Sequence, residues 1–313
     1  KSRDVEFAKR SFRVAAAFGL ASVLSVIVLG DESGYTVGEA QQTKLAAMEA
    51  MWDTKPAPAG LTLVASINEA ESRNNWEVDI PWVMGLIGTR SASKQIPGIH
   101  DIKEKNRARI LRGITAVNAL EALRADRTDK AAFETFEAYK ADLGFGLLLK
   151  KYVEDVNQAT PDIIDKAVND TVPRVTPMFW AFRIMVGLGF AMLMLFGLAF
   201  WSTLKSTCTR SRWLLRWALY MLPAPWVACE LGWFVAEYGR QPWTIYGVLP
   251  THMSVSTLSV NNLYGSLAGF IVFYTVLLVV EMFLMVKFAR QGPGSLGTGR
   301  YAHDAHLKEL HHA

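Results

Sequence analysis

Two carboxylates, Glu230 and Glu237, stand seven residues apart in a strongly apolar stretch that begins near Trp217. On an α-helix that spacing is about two turns, so the two share a face, and Trp233 falls between them on it. Carboxylates inside or at the edge of a membrane helix are costly and rarely face lipid. Such a pair points to a buried cofactor, an ion path or a charge partner. Gly239 and Pro242 close the helix, and Arg240 sets a cation just beyond the second carboxylate. Read from the residues alone, Glu237 is a metal ligand, a proton relay or half of an ion pair with Arg240, and the pair is the plainest of the three. Trp233 on the same footing is interfacial packing.

Other candidates lie further up the chain. Arg183 sits inside an apolar run and needs a partner there. An anionic cofactor group such as a haem propionate would suit it, and so would snorkelling to the outer surface. Met185 follows two residues later; by spacing alone it is ordinary apolar filling, as Met192 and Met194 are. Lys44 and Glu49 are five apart on an expected helix, so they do not share one face closely. A polar ligand could still touch both long side chains, but the pattern by itself reads as a solvated face. The histidines give no mid-span ligand: His100 is in a polar insert, His252 in a short link, and the rest in the tail. Cys208 and Cys229 lack metal-ligand spacing, and their surroundings argue against a disulfide.

These residues must be positioned by membrane helices. Of 313 residues, 51% are hydrophobic, ten are tryptophan and the formal charge is +4. No basic stripe or motif for nucleic acid accompanies that charge. Four runs are apolar enough to span: 14–30, 178–203, 213–237 and 263–286. Pro223 and Pro225 predict a kink in the third. Lys and Arg cluster before the first span, between the second and third, and after the fourth, while the link 238–262 holds only Arg240. Positive residues favour the cytoplasm, so both ends are expected there and the long insert outside. The expected domains are a first span with its basic flank (1–30), an extracytoplasmic insert (31–177), a three-helix membrane region (178–290) and a cytoplasmic tail (291–313). The fold class is an all-α membrane protein of four transmembrane helices with a large, mainly helical extracytoplasmic insert. Within that insert, Gly30-Asp31-Glu32-Ser33-Gly34-Tyr35 predicts a turn-rich exit from the membrane. Helices are expected over 37–52, 102–126 and 129–156, with a strand-like run at 61–67 and a short helix after Thr160-Pro161-Asp162. The chain opens on Lys1 and runs straight into an apolar helix, which reads as a longer chain lacking its beginning.

The run Gly232-Trp233-Phe234-Val235-Ala236-Glu237-Tyr238-Gly239-Arg240-Gln241-Pro242-Trp243 resembles the GWxxxExGRQPW signature of subunit I of cytochrome bd ubiquinol oxidase. Gly30-Asp31-Glu32-Ser33-Gly34-Tyr35, Thr43-Lys44-Leu45-Ala46-Ala47-Met48-Glu49 and Phe182-Arg183-Ile184-Met185-Val186 agree with the same family. The resemblance runs end to end and corresponds to the C-terminal three-fifths of the subunit, of the type with a long outer quinol (Q) loop. It implies a bacterial inner-membrane respiratory enzyme that oxidises ubiquinol and reduces oxygen to water, using a low-spin haem b, a high-spin haem b and a haem d. It implies that Met185 is an axial ligand of the low-spin haem and that Arg183 lies beside that haem. Glu237 matches the glutamate tied to the high-spin haem, Trp233 the tryptophan between the b haems, and Arg240 the arginine near the propionates. Lys44 and Glu49 match the quinol-site pair of a periplasmic Q-loop. The implied partners are subunit II, small membrane subunits, the missing N-terminal spans and the lipid membrane. The fragment by itself is expected to be inactive. Rival readings are a cyanide-insensitive-type oxidase with b haems only, and a haem-free transport or scaffold protein.

Overall fold

The computed structural model describes residues 2–208 and 210–291, so the expected glycine- and histidine-rich tail lies outside the described residues from 292 on. Among the described residues, four helical segments are long and apolar enough to cross a membrane. The first, α1 (Ser2–Ala40), is one uninterrupted helix. The turn expected at Gly30–Tyr35 is therefore helical. Two isolated glycines cost a helix roughly 1 kcal/mol each, and with no proline present nothing breaks the backbone. Arg90 also clamps this stretch: it pairs with Glu32 at 2.5 Å and lies 4.5 Å over the Tyr35 ring.

The helix ends at Gln41, and a separate short helix α2 (Gln42–Met48) follows, with every residue from Thr43 to Met48 buried. The strand-like run becomes β1 (Leu61–Asn68), paired antiparallel with β2 (Arg73–Ile80). After α3 (Val83–Thr89) comes α4 (Ile99–Ala125), as the amphipathic pattern predicts. The single helix expected over 129–156 is instead broken. α5 (Lys130–Tyr139), capped by Asp129, gives way to 3-10 turns and the short α6 (Leu143–Leu147). The reason is close packing. Gly146 and Gly113 of α4 touch backbone to backbone, and a Cβ on either would overlap the other's main chain. α7 (Pro161–Asp170) follows, with proline in its first turn.

The second span is α8 (Val175–Leu204). The third divides into α9 (Arg212–Tyr220) and α10 (Ala224–Tyr238), with a turn at Met221–Pro223, so the expected proline kink is a full break. The link after it carries a two-stranded turn, β3 (Trp243–Ile245) with β4 (Leu249–Pro250). The fourth span, α11 (Val260–Gln291), falls in a second unit of the chain and is a single apolar helix whose residues are exposed along its length.

Three cores tie the larger unit together. One joins α2 to the N-terminal turns of α8 and to α10, through Leu45, Met178, Phe179 and Val235. A second lies in the insert around Ile110, Phe145 and Leu149, and it takes in Trp243 from the link after α10. Trp243 is 1% exposed, and its ring centroid lies 4.9 Å from that of Phe145. The insert and the α10 link thus stand on one side. At the other end of α8, Leu195 and Ala199 pack with Ala16 of α1 and Leu214 of α9, and Arg13 reaches the Thr203 carbonyl at 3.5 Å. Arg13 and the link between α8 and α9 therefore share the opposite side.

Within the insert, Asp142 is buried between Arg109 (2.6 Å) and Arg112 (2.7 Å). Burial raises its pKa, but the hydrogen bonds and charges of the two arginines outweigh it and hold the carboxyl below the ordinary aspartate range. A depressed folded-state pKa contributes stability that is present above the unfolded value and is lost as pH falls through the folded one. Asp142→Asn should flatten the acid limb of a stability-against-pH curve of the complete protein in detergent, and an unchanged limb would contradict this. Gly146→Ala should lower stability by about 1–3 kcal/mol through overpacking against Gly113. A thermal scan with an unchanged Tm would show that the contact is not tight.

Candidate functional site

The N-terminal turns of α8 bring most of the expected residues together. Arg183 and Met185 are two apart, so on one helix they point in nearly opposite directions. Arg183 turns toward α2 and β1. Its guanidinium grips both oxygens of Glu49 at 2.6 and 3.2 Å. Its Nε also donates to the Thr62 carbonyl at 2.8 Å, and the ring centroids of Phe179 and Phe182 lie 4.6 and 5.3 Å from its Cζ. The Arg183 side chain is 11% exposed and that of Glu49 3%. Snorkelling is overturned as a reading of Arg183, and in place of a cofactor anion its partner within this chain is a carboxylate from the insert.

The solvated-face reading of Lys44 and Glu49 is overturned too, since both residues are buried. Being five apart on a short helix, they diverge. Glu49 goes to α8, while Lys44 passes Gly239 and donates to the Ala236 carbonyl at 3.0 Å, in the last turn of α10. A cation at that end of a helix meets unsatisfied carbonyls and the negative end of the dipole. Burial lowers the Lys44 pKa, Arg240 lowers it further, and Glu237 acts in the opposite sense. Burial likewise pushes the Glu49 carboxyl above the ordinary glutamate range, against the pull of Arg183 and Lys55.

Met185 faces α10. Its sulfur lies 3.1 Å from where a Cβ on Gly232 would stand, so the glycine of the GW pair is what admits it. Further along α10, Glu237 pairs with Arg240 three residues on, the simplest of the three sequence readings. The Nε of Arg240 is buried without a partner. Trp233 is 66% exposed and Glu230 is exposed with it. The shared face foreseen for Glu230, Trp233 and Glu237 is therefore an outer surface of this chain, half-closed at Glu237.

Among the described residues no three His, Cys, Asp or Glu side chains form a cluster able to hold a metal ion. The donors fit a prosthetic group better. A thioether such as Met185 is an established axial ligand type for haem iron, and an orphaned guanidinium N–H such as that of Arg240 suits a carboxylate of the group. Sequence reasoning missed Thr62, which acts through its backbone carbonyl and so leaves no residue-type signal. It also missed the cluster in which Lys55 holds Glu77 at 2.7 Å and Asp79 at 2.6 Å. The alternation Trp76-Glu77-Val78-Asp79-Ile80, a period-two pattern, carried that signal.

The family described as cytochrome bd terminal oxidase subunit I matches residues 1–293. The chain is 37% identical over 296 residues to cytochrome bd-II ubiquinol oxidase subunit 1 of Escherichia coli K12, covering 95% of this chain and 58% of that protein. It is 26% identical over 293 residues to cytochrome bd ubiquinol oxidase subunit 1 of Bacillus subtilis 168, covering 93% of this chain and 51% of that protein. The chain thus spans a little over half the length of these curated relatives.

Removing Arg183 would leave Glu49 buried without its counter-charge, which costs on the order of 3–5 kcal/mol while the carboxyl stays ionised. In an Arg183→Gln variant Glu49 should instead hold its proton to higher pH than in the parent. Infrared spectra across a pH series should show a protonated carboxyl band, absent from a Glu49→Gln control, persisting to higher pH. A band that titrates as in the parent would contradict the pairing.

Proposed function

This chain belongs to the cytochrome bd terminal oxidase subunit I family, and on that premise we propose that it is the quinol-side, haem-bearing part of a respiratory quinol oxidase. The whole enzyme would oxidise ubiquinol and reduce oxygen to water. The observation that carries this reading is the buried Glu49–Arg183 pair. It fastens the α2 segment of the insert to the span two residues before Met185, so a site for quinol and a site for an electron acceptor share one rigid junction.

The residue roles are those that the family resemblance implies, and the place of Met185 beside α10 and the unpartnered Nε of Arg240 support them. Met185 would supply the thioether ligand of a low-spin haem b. Glu237 would serve the high-spin haem b, with Arg240 offering its unpartnered Nε to a propionate and Trp233 lying between the two groups on the outer face of α10. When bound, the haems would accept electrons from quinol and deliver them to oxygen, a haem d completing the set. Arg183 would be a positioning residue, acting on quinol chemistry through Glu49.

Lys44 and Glu49 would form the quinol site. A Glu49 carboxyl raised by burial is suited to take the proton from a quinol hydroxyl onto one of its oxygens. Arg183 favours the return to carboxylate and so the onward loss of that proton. The internal partners of both side chains mean that quinol must compete with them: Lys44 would leave the Ala236 carbonyl and Glu49 would share Arg183.

We assign the insert (31–177) to the periplasm, as the Q-loop domain, and the basic flank that precedes the first span, the 204–212 link and the tail (291–313) to the cytoplasmic side. The common side shared by the insert and the α10 link supports this, together with the basic residues at the opposite end. Quinol protons would then leave outward while protons for water come from the cytoplasm, which separates charge across a bacterial inner membrane. Subunit II, small membrane subunits and further spans of subunit I would complete the haem pockets, and the fragment alone would be inactive.

In the complete enzyme, Glu49→Gln should raise the KM for ubiquinol about tenfold or more, the loss of one charge-assisted hydrogen bond. An unchanged KM would remove Glu49 from the site. Met185→Leu should abolish the low-spin haem b band of a reduced-minus-oxidised spectrum and spare the others. An unaltered spectrum would exclude Met185 as a ligand. In the parent, b bands without a haem d band would assign the enzyme to the b-only type, and no haem bands at all would favour transport or scaffolding.

A further inference from the structure

The β1–β2 hairpin turns its charged face to Lys55. Side chains alternate across a strand, so Glu77 and Asp79 turn to Lys55 on one face while Trp76, Val78 and Ile80 occupy the other. Trp76 is 55% exposed and Val78 52%, and the cross-strand partner of Val78, Val64, is exposed as well. Trp82 (63%) and Leu86 (57%) carry the same apolar surface into α3. A hairpin on a water-facing domain would show the reverse pattern.

The depth of this surface is fixed by α8. A hydrocarbon core about 30 Å thick takes about 20 helical residues, which counted back from Leu204 reaches Met185. Arg183 therefore stands at the outer boundary of the core, and the Thr62 carbonyl that it holds at 2.8 Å stands there too. Trp180 and Ile184, one turn apart on α8 and bracketing Arg183, are also exposed. The hairpin is thus pinned at the level where the bilayer gives way to headgroups, and tryptophan, apolar in body with a polar N–H, is enriched at that level.

We infer that the outer face of the hairpin and α3, with Trp76, Val78, Ile80, Trp82 and Leu86, beds into the outer leaflet of the bilayer at the headgroup–acyl boundary. The insert is then a surface-embedded domain beside the Glu49–Arg183 junction. A lipid-soluble substrate would reach that junction along the membrane surface without crossing water. This inference rests on α8 being a span and not on the quinol reading.

The test uses the complete oxidase complex in phosphatidylcholine nanodiscs, with Cys208 and Cys229 and other reactive cysteines replaced by serine. Nitroxide labels are placed by Trp76→Cys, by Val78→Cys and, as a water-side reference at the hairpin turn, by Arg73→Cys. Collision with oxygen, which concentrates in lipid, is compared with collision with a water-soluble nickel chelate. Labels at 76 and 78 should favour oxygen over nickel several-fold more than the label at 73. High nickel access at 76 and 78 would overturn the inference in favour of solvent. Low access to both reagents would overturn it in favour of a covering protein surface. Two labelled positions guard against one variant that fails to fold, and either result leaves the KM test of the quinol site untouched.

Discussion

The structure of the larger unit hangs on one buried ion pair. Glu49 and Arg183 come from segments 134 residues apart in sequence and meet where almost no water reaches. Taking two charges out of water costs several kcal/mol each, and only good geometry and extra hydrogen bonds repay it. Here the pairing is two-pronged, the guanidinium has a second acceptor in the Thr62 carbonyl, and two phenylalanine rings line its face. The pair adds little net stability compared with an apolar filling. What it supplies is a fixed point of attachment between α2, β1 and α8.

That attachment organises the rest of the site. With Arg183 committed to the insert, helix geometry sends Met185 to the other side, against α10. There Gly232 leaves room for its sulfur, and Gly239, one helix-end later, leaves room for the Lys44 stem. Two glycines of the signature are thus space-makers for side chains from other elements. Trp243, at the end of the same signature, locks the link after α10 into the insert's own core. The signature reads as a series of docking points along one helix, with the polar residues between them left to face whatever the chain holds.

Much of this was legible in the sequence. Spans, α4 and α7 follow from apolar runs, amphipathic period and a proline start, which are local signals. The Glu237–Arg240 pair is legible because it is three residues apart on one helix. What escaped is what depends on distant contact. The helical course of 30–35 owes itself in part to Arg90, the break-up of 129–156 to Gly113 meeting Gly146, and the burial of Lys44 to α10. Arg183 was recognised as needing a partner, but nothing local could name Glu49. Residue type proposed the members of the site, and tertiary packing decided which of them touch.

On the proposed function, the Glu49–Arg183 pair and a low-spin haem held by Met185 would form one electrostatic unit. A potentiometric titration of the low-spin haem b in the complete enzyme, parent against Glu49→Gln, tests it most directly. Removing the carboxylate leaves the Arg183 cation uncompensated, which favours the reduced, more negative state. The midpoint potential should rise. A potential unchanged from the parent would contradict the claim and separate the quinol-side pair from the haem.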